Sequence, residues 1–372
     1  MITTVGYPVR AFRDGTLLGE TVAALRVNHP DSAPELWFPA GDVLGAGPGR
    51  DGTGELAGYI CFDPVQVDVQ VIDRRPGDAD RDVTVKRWPT WGDAADLIAA
   101  LDVRQQNGRW CGAARSDWRR PVVEGSQMLG QALVAASRHT GGRRPVFASM
   151  VFPRVADARI PVPIELTEVA TGRSFTALQV RGSQHDRVCA AGTLLLDATA
   201  PDVIRHADPP PAVAGPYASA PVDMSVTGRD LRIVDDAYTG DPDAPVGPPV
   251  LDAWLRYPEV PADPALHIGL LAQFTGHLSI AAALRPHAGI GQDAAHHTLS
   301  TAINAINVSL HAEVRADRWL RYRHLSTFAG DGMTHAECRV YTEDDALIAS
   351  FTVEAMVRAA AGLDRPADRR RM

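Results

Sequence analysis

Glu124 is the side chain in this sequence best placed for acid–base work. It stands in Val123-Glu-Gly-Ser-Gln-Met-Leu, directly before a helical apolar run, so the unbonded N–H groups of a first helical turn open beside its carboxylate. Such amides polarise a carbonyl oxygen while a carboxylate moves a proton. Acids also favour helix starts for dipole reasons alone, so the position has a plain structural explanation as well. Other patterns carry less chemistry. Cys61, Cys111, Cys189 and Cys338 are at least 50 residues apart, which fits neither zinc ligation nor a small disulfide framework, and they read as reduced core thiols. His296 and His297, with His277 and His287 upstream, have no carboxylate or cysteine at ligand spacing and are expected as loop and helix-end residues. Gly45-Ala-Gly-Pro-Gly49 leads into Arg-Asp-Gly rather than a helix, so it reads as a surface loop and not a phosphate cradle. No Gly-x-Ser-x-Gly occurs, which argues against a serine elbow.

The elements that must hold these residues separate into five stretches. Residues 1–88 carry short β-like runs (Val5 to Phe12, Thr21 to Val27, Leu56 to Phe62, Val65 to Val71) and no 3.6-residue period, so a small all-β domain is expected. Residues 93–198 open with a short helix, Asp93 to Leu101, and a second helix, Gln127 to Ser137, apolar nearly all round and therefore buried. Four strands are expected after it, near 145–152, 161–170, 174–183 and 187–196. Residues 199–250 read as a linker, because Pro201, Pro209, Pro210, Pro211, Pro216 and Pro221 exclude helix and central strand. Residues 251–360 repeat the helix-then-strands order, with a helix over Leu266 to Leu284 and strands near 302–311, 317–326, 335–342 and 346–357. In the last strand Ile348, Ser350, Thr352, Glu354 and Met356 alternate with Ala349, Phe351, Val353, Ala355 and Val357, as in an antiparallel sheet with one buried face. The tail, 361–372, is expected to be disordered. The fold class is α+β.

Composition bounds the function. The chain has 372 residues, 45% of them apolar, enough for two or three cores. With 37 basic against 45 acidic residues the net charge is −8, the wrong sign for a phosphate backbone, so no nucleic-acid partner is expected. Thirty-six of the 37 are arginine and only Lys86 is lysine, a skew read as GC-rich coding. No uninterrupted apolar run approaches the roughly 20 residues of a membrane span, and the first residues carry neither a basic nor an apolar leader segment. The expectation is a cytoplasmic protein with no membrane partner.

Several segments together resemble a known family. Asp96-Leu-Ile-Ala-Ala-Leu, Trp110-Cys-Gly and Val123-Glu-Gly-Ser-Gln-Met-Leu-Gly-Gln-Ala-Leu resemble the opening of the acyl-CoA thioesterase II family of double hotdog proteins, with Gly130-Gln-Ala-Leu133 the most specific piece. Thr171-Gly-Arg-Ser-Phe175 with Gln184 is similar to a hairpin of that family. Trp254-Leu-Arg, Leu266-His, Ala283-Leu-Arg-Pro-His287, Ser309-Leu-His311 and Leu347-Ile-Ala-Ser350 resemble its second hotdog in order and spacing. Separately, Asp14-Gly, Leu18-Gly-Glu-Thr, Glu35-Leu-Trp-Phe-Pro39 and Ala57-Gly-Tyr-Ile-Cys-Phe62 resemble a small all-β family known only as a domain of unknown function.

The first resemblance implies a double hotdog, and the second a small all-β domain before it. The first also implies an acyl thioester substrate, carried on coenzyme A or on a phosphopantetheine arm with an acyl carrier protein as candidate partner, no cofactor or metal of the protein's own, and a homodimer. The family's water-activating Asp, Thr or Ser, and Gln correspond here to Gln273, Ile303 and Val353, none of which matches. A carboxamide takes no proton at neutral pH and aliphatic side chains hold no water, so that mechanism does not run as drawn. A shift of one residue brings Asn304 and either Thr352 or Glu354 near those places, but flips a strand side chain to the other face unless a bulge intervenes. The candidate catalytic residues are Glu124, Gln273, Asn304 and Glu354, and the candidate substrate-binding residues are Gly125, Gly130, Gln131 and Gln184. Hydrolysis of an acyl thioester leads the functional readings. The alternatives are a dehydratase, isomerase or cyclase of secondary metabolism, and a catalytically silent acyl-binding protein.

Overall fold

The computed structural model describes residues 2–29, 32–45, 47–74, 84–115, 121–295 and 297–360. The expected disordered tail and His296 lie outside them. The chain divides into two compact units, residues 1–97, 115–121 and 221–229 in one, and 98–114, 122–220 and 230–372 in the other.

Among the described residues four α-helices form where the apolar periodicity runs: α1 (Ala94–Leu101), α2 (Gly125–His139), α3 (Pro264–Phe274) and α4 (Ser279–Leu284). In α2 every residue from Met128 to Ala136 is buried, as a helix without a polar face requires. Asp263 caps α3 by accepting from the Ala265 N–H at 2.9 Å, with Pro264 in the first turn, where its missing donor costs nothing. The helix expected over Leu266 to Leu284 is broken: α3 ends at Phe274, a turn follows, and Leu278 in a left-handed conformation (φ 66°) precedes α4. By length and composition Pro264–Leu284 would suffice for a membrane span, although it lacks an uninterrupted apolar run; 78% of its most apolar window is buried inside the protein, so it is a core segment.

The long strands of this unit are β1 (Arg144–Val151), β2 (Ile164–Thr171), β3 (Phe175–Gln184), β4 (Arg187–Asp197), β5 (Val250–Arg256), β6 (Leu299–Leu310), β7 (Leu320–Gly330), β8 (Met333–Thr342) and β9 (Leu347–Ala359). They lie in one 13-stranded sheet in the order β2-β3-β4-β1-β6-β9-β8-β7-β5, with short strands at both ends. The two helix-and-sheet halves meet where β1 pairs antiparallel with β6, Phe147 opposite Ser309 through Val151 opposite Ala305. Pairing edges in this way leaves no ladder groups exposed in the middle of the sheet.

The stretch expected as linker is partly structured. Asp230–Ile233 pairs with β5, and Ala220–Pro221 ends the sheet, an edge place where proline's missing donor is tolerated. Before it the chain crosses the outer face of the second half, with Trp254 Nε1 donating to the Ala214 carbonyl at 2.9 Å and Arg321 to that of Pro211 at 3.1 Å.

Among its described residues the other unit is built mainly from strands, with two short 3-10 turns and the first residues of α1. One sheet runs Ile2–Thr4, Leu25–Val27, Glu35–Pro39, Tyr59–Phe62, Gly49–Asp51, and another Thr16–Thr21, Val9–Arg13, Asp68–Ile72, Val85–Arg87. Val9, Ala11, Leu18, Leu36, Phe38, Phe62 and Val69 pack together as its core. Residues 221–229 complete it. Val226–Thr227 pairs with Gly92–Asp93, the Gly228 N–H donates to Asp73 at 2.8 Å, and Asp223 lies 3.6 Å from the ammonium of Lys86, which is buried to 2% exposure. Burial lowers the pKa of this lone lysine, against the pull of Asp223 and Asp73.

Candidate active site

Helices α2 and α3 pack antiparallel, and glycines allow the approach. A β-carbon on Gly130 would sit 2.7 Å from the Gly269 carbonyl oxygen, and one on Gly276 would sit 2.4 Å from Ser126 Oγ. At one end of this pair Arg138 bridges Asp102 at 2.7 Å and the α3 cap Asp263 at 2.5 Å. At the other end the N-terminus of α2 meets the C-terminus of α3.

Glu124 occupies that second end as the N-cap residue of α2, yet its side chain makes no cap bond to its own helix. Its carboxylate accepts from Gln273 Nε2 at 3.0 Å and lies 3.7 Å from His277 Nε2. Gln273 lies in the last turn of α3 and His277 in the turn that follows it, and both reach the same carboxylate. Gln273 is 4% exposed and His277 13%, whereas the Glu124 side chain is 52% exposed and opens to solvent. His277 is fixed by stacking on Phe274, with centroids 4.8 Å apart and planes at 8°. A carboxylate held on two sides beside the first-turn amides of a helix can take a proton from a water and have a carbonyl oxygen polarised next to it.

The expected residues divide. The structure brings Glu124 and Gln273 together. Asn304 sits at a β-bulge, in the register break between Ile303 and Ala305 against β9, where its carbonyl accepts from the Phe152 N–H at 2.8 Å. Its Oδ1 is buried without a hydrogen-bond partner. Gly125 packs against the ring of that same Phe152. Glu354 does not join them. Phe351, Val353 and Ala355 point into the core, so the alternation turns Glu354 to the outer face, where it meets His335 Nδ1 at 2.6 Å. A groove of about 420 Å³ lies on that outer face, lined by Asn307, Arg323, His335, Glu337 and Thr352.

Three of the residues expected to bind substrate are engaged in the fold. Gly130 serves the helix crossing. Gln131 is 3% exposed and ties α2 to α1 by donating to the Ala100 carbonyl at 2.7 Å. Gln184 clamps a loop, accepting from the Asp157 N–H at 2.7 Å and donating to the Asp157 and Ile160 carbonyls at 2.8 and 3.0 Å.

His277 was legible only as a helix-end histidine. The turn after α3, and not a continued helix, brings it to the site.

Beneath the break between α3 and α4, on β7 and β8, His324 Nδ1 meets Cys338 Sγ at 3.3 Å. Burial pushes His324 down to about 3, with His277 adding to the effect, and pushes the Cys338 thiol up. The pair is therefore thiol and neutral imidazole, not the thiolate and imidazolium of a cysteine nucleophile.

Residues 114–196 match the family profile of the acyl-CoA thioesterase N-terminal domain and residues 206–357 that of its C-terminal domain. Acyl-coenzyme A thioesterase 8 of Homo sapiens is 24% identical over 271 residues, covering 63% of this chain and 80% of that protein. The acyl-CoA thioesterase II TesB2 of Mycobacterium marinum superposes with a TM-score of 0.60 at 24% identity, over 72% of this chain and 99% of its own. The TesB protein of Mycobacterium avium subs. paratuberculosis gives 0.59 at 22% identity, over 71% and 99%. The α+β architecture of the larger unit is the hotdog fold of these structures.

Proposed function

The chain belongs to the acyl-CoA thioesterase II family, and from that premise we propose that it acts on an acyl thioester as a double hotdog whose working carboxylate is Glu124. The observation that carries this reading is the convergence of Gln273 and His277 on a solvent-reaching carboxylate at the start of α2. In hydrolysis Glu124 takes a proton from a water. The water oxygen adds to the thioester carbonyl, whose developing charge is met by the first-turn N–H groups of α2. Collapse breaks the C–S bond, and the proton passes to the departing sulfur, leaving a free acid and a thiol. Gln273 keeps the carboxylate oriented. In this reading the arrangement stands in for the family's usual triad, which sequence correspondence puts at Gln273, Ile303 and Val353, and the pantetheine arm belongs to coenzyme A or to a carrier protein.

A second reading is favoured by His277, because a carboxylate and an imidazole 3.7 Å apart form the acid and base that dehydration, isomerisation or cyclisation of the acyl chain needs. One experiment separates the two. Acyl-CoA thioesters are incubated with the protein while free thiol and the mass of the acyl product are followed, for wild type and Glu124→Gln. Thiol release that drops by about 10²- to 10⁴-fold in the variant supports hydrolysis through Glu124. A changed acyl mass without thiol release supports the second reading. Brisk hydrolysis that survives Glu124→Gln overturns the site.

A further inference from the structure

The corner beneath the break between α3 and α4 holds two polar side chains that are sealed from solvent and not fully used. His324 is 0% exposed, and while its Nδ1 meets Cys338, its Nε2 has no hydrogen-bond partner. Ser279 is 2% exposed and its Oγ has none either. The two belong to adjoining elements, since α4 packs on β7, the strand that carries His324. His277 connects this corner to the candidate active site, reaching Glu124 on one side and lying close enough to His324 for its charge to act there.

An unmatched buried polar atom costs about 1–3 kcal/mol, and the neighbouring positions show that this sheet face accepts apolar residues without difficulty. In the tautomer in which the Cys338 thiol donates to Nδ1, His324 presents an Nε2–H donor, and the Ser279 hydroxyl can supply another. Buried donors left without a partner suit an oxygen acceptor that arrives with a ligand.

We infer that this corner receives an oxygen substituent on the acyl chain, so that the substrates are hydroxy- or oxo-acyl thioesters rather than plain alkanoyl ones. The thioester lies at Glu124, and the chain passes His277 into the second half, where His324 and Ser279 read its oxygen. This assignment rests on the reading of Glu124 as the thioester site.

The test measures kcat/KM for coenzyme A thioesters of one chain length, either unsubstituted or carrying a hydroxyl or an oxo group at successive carbons. At least one oxygenated member is expected to exceed the unsubstituted one by about tenfold or more, toward the ~10⁴–10⁵ that sites built to hydrogen-bond a substrate group can reach. That ratio is expected to collapse toward one in Ser279→Ala and in His324→Phe, the first guarding against a folding failure of the second. Hydroxyl against oxo preference identifies which oxygen the corner reads. Equal kcat/KM across the panel, with hydrolysis still dependent on Glu124, overturns the inference and leaves the thioester reading standing. A preference that survives both substitutions overturns it in the same way. Failure of every thioester to react, in wild type as in Glu124→Gln, overturns both.

Discussion

The two halves of the large sheet share one architecture and differ in what they bury. In the first half β1, β3 and β4 present Ala148, Met150, Leu178, Val180, Ala190, Leu194 and Leu196 to the core, all at most 4% exposed. In the second, β7 and β8 bury Tyr322, His324, Ser326, Thr334 and Cys338 among Val308, Phe351 and Val353. The first half also buries polar side chains, Gln131, Thr176 and Gln184, but there Gln131 and Gln184 are tied to backbone groups of the fold. In the second half Tyr322 and Ser326 likewise bond to backbone carbonyls, whereas His324 Nε2 and Ser279 Oγ are buried without a partner, an added expense for folding. The same division appears along the α2–α3 pair, where Arg138 is held by two carboxylates at one end while Glu124 at the other is left half open.

Three perturbations sharpen or break this contrast. The largest is expected from Leu194→Ala, which empties a fully packed position of the first half and should destabilise by about 2–5 kcal/mol in denaturant unfolding. The ratio of oxygenated to plain substrate turnover should nevertheless stay at the wild-type value. A first-half substitution that altered that ratio as much as Ser279→Ala would erase the difference between the halves.

The second perturbation uses pH. Burial first, then His277, lowers His324 to about 3, below the roughly 6.5 of an unfolded histidine. Between those values the unfolded chain binds a proton that the fold refuses, so His324 costs stability progressively as pH falls from about 6.5 toward 3. His324→Phe should therefore shift the acid-unfolding midpoint to lower pH relative to wild type, while Leu194→Ala should show no such relief. An unchanged midpoint in His324→Phe would mean that the imidazole is not held neutral.

The smallest effect is expected from Glu354→Gln. Its side chain is 44% exposed and paired with His335 on the outer face, so the substitution should change stability by less than about 1 kcal/mol and leave turnover unchanged. Loss of turnover there would move the site to the other side of the sheet.

Much of the fold was legible because it rests on periodicity. The strands after each helix fall within a few residues of where alternation puts them, and α2 is buried as its all-round apolar surface requires. The interruption at Leu278 was not legible, since a left-handed leucine within Leu266 to Leu284 leaves no mark on the apolar stripe. The bulge at Asn304 was equally silent, because an extra residue in one strand is a backbone event decided by its neighbours. Glu354 is the opposite case. The alternation of Ser350, Thr352 and Glu354 against Phe351 and Val353 already put it on the polar face, and its candidacy came from a shifted register rather than from that pattern. Gly130, Gln131 and Gln184 show that a family motif marks residues without saying whether they pack or bind. Glu124 was visible as an acid ahead of a helix, but its partners lie 149 residues or more away and only the folded chain brings them close.

The smaller unit has a consequence for how the protein is made. A segment that is first in the chain ordinarily folds first as it leaves the ribosome. Here the contacts that close the unit come late, since Asp73 waits for the amide of Gly228, 155 residues further on, and Lys86 waits for Asp223. At about 5–20 residues per second that interval is roughly 8 to 30 s. Throughout it the early strands exist without their final piece, with a lysine and an aspartate destined for burial still wet. Translation speed over residues 98–220, more than the sequence of the early strands themselves, then sets how long this half-built unit is exposed to chaperones and proteases.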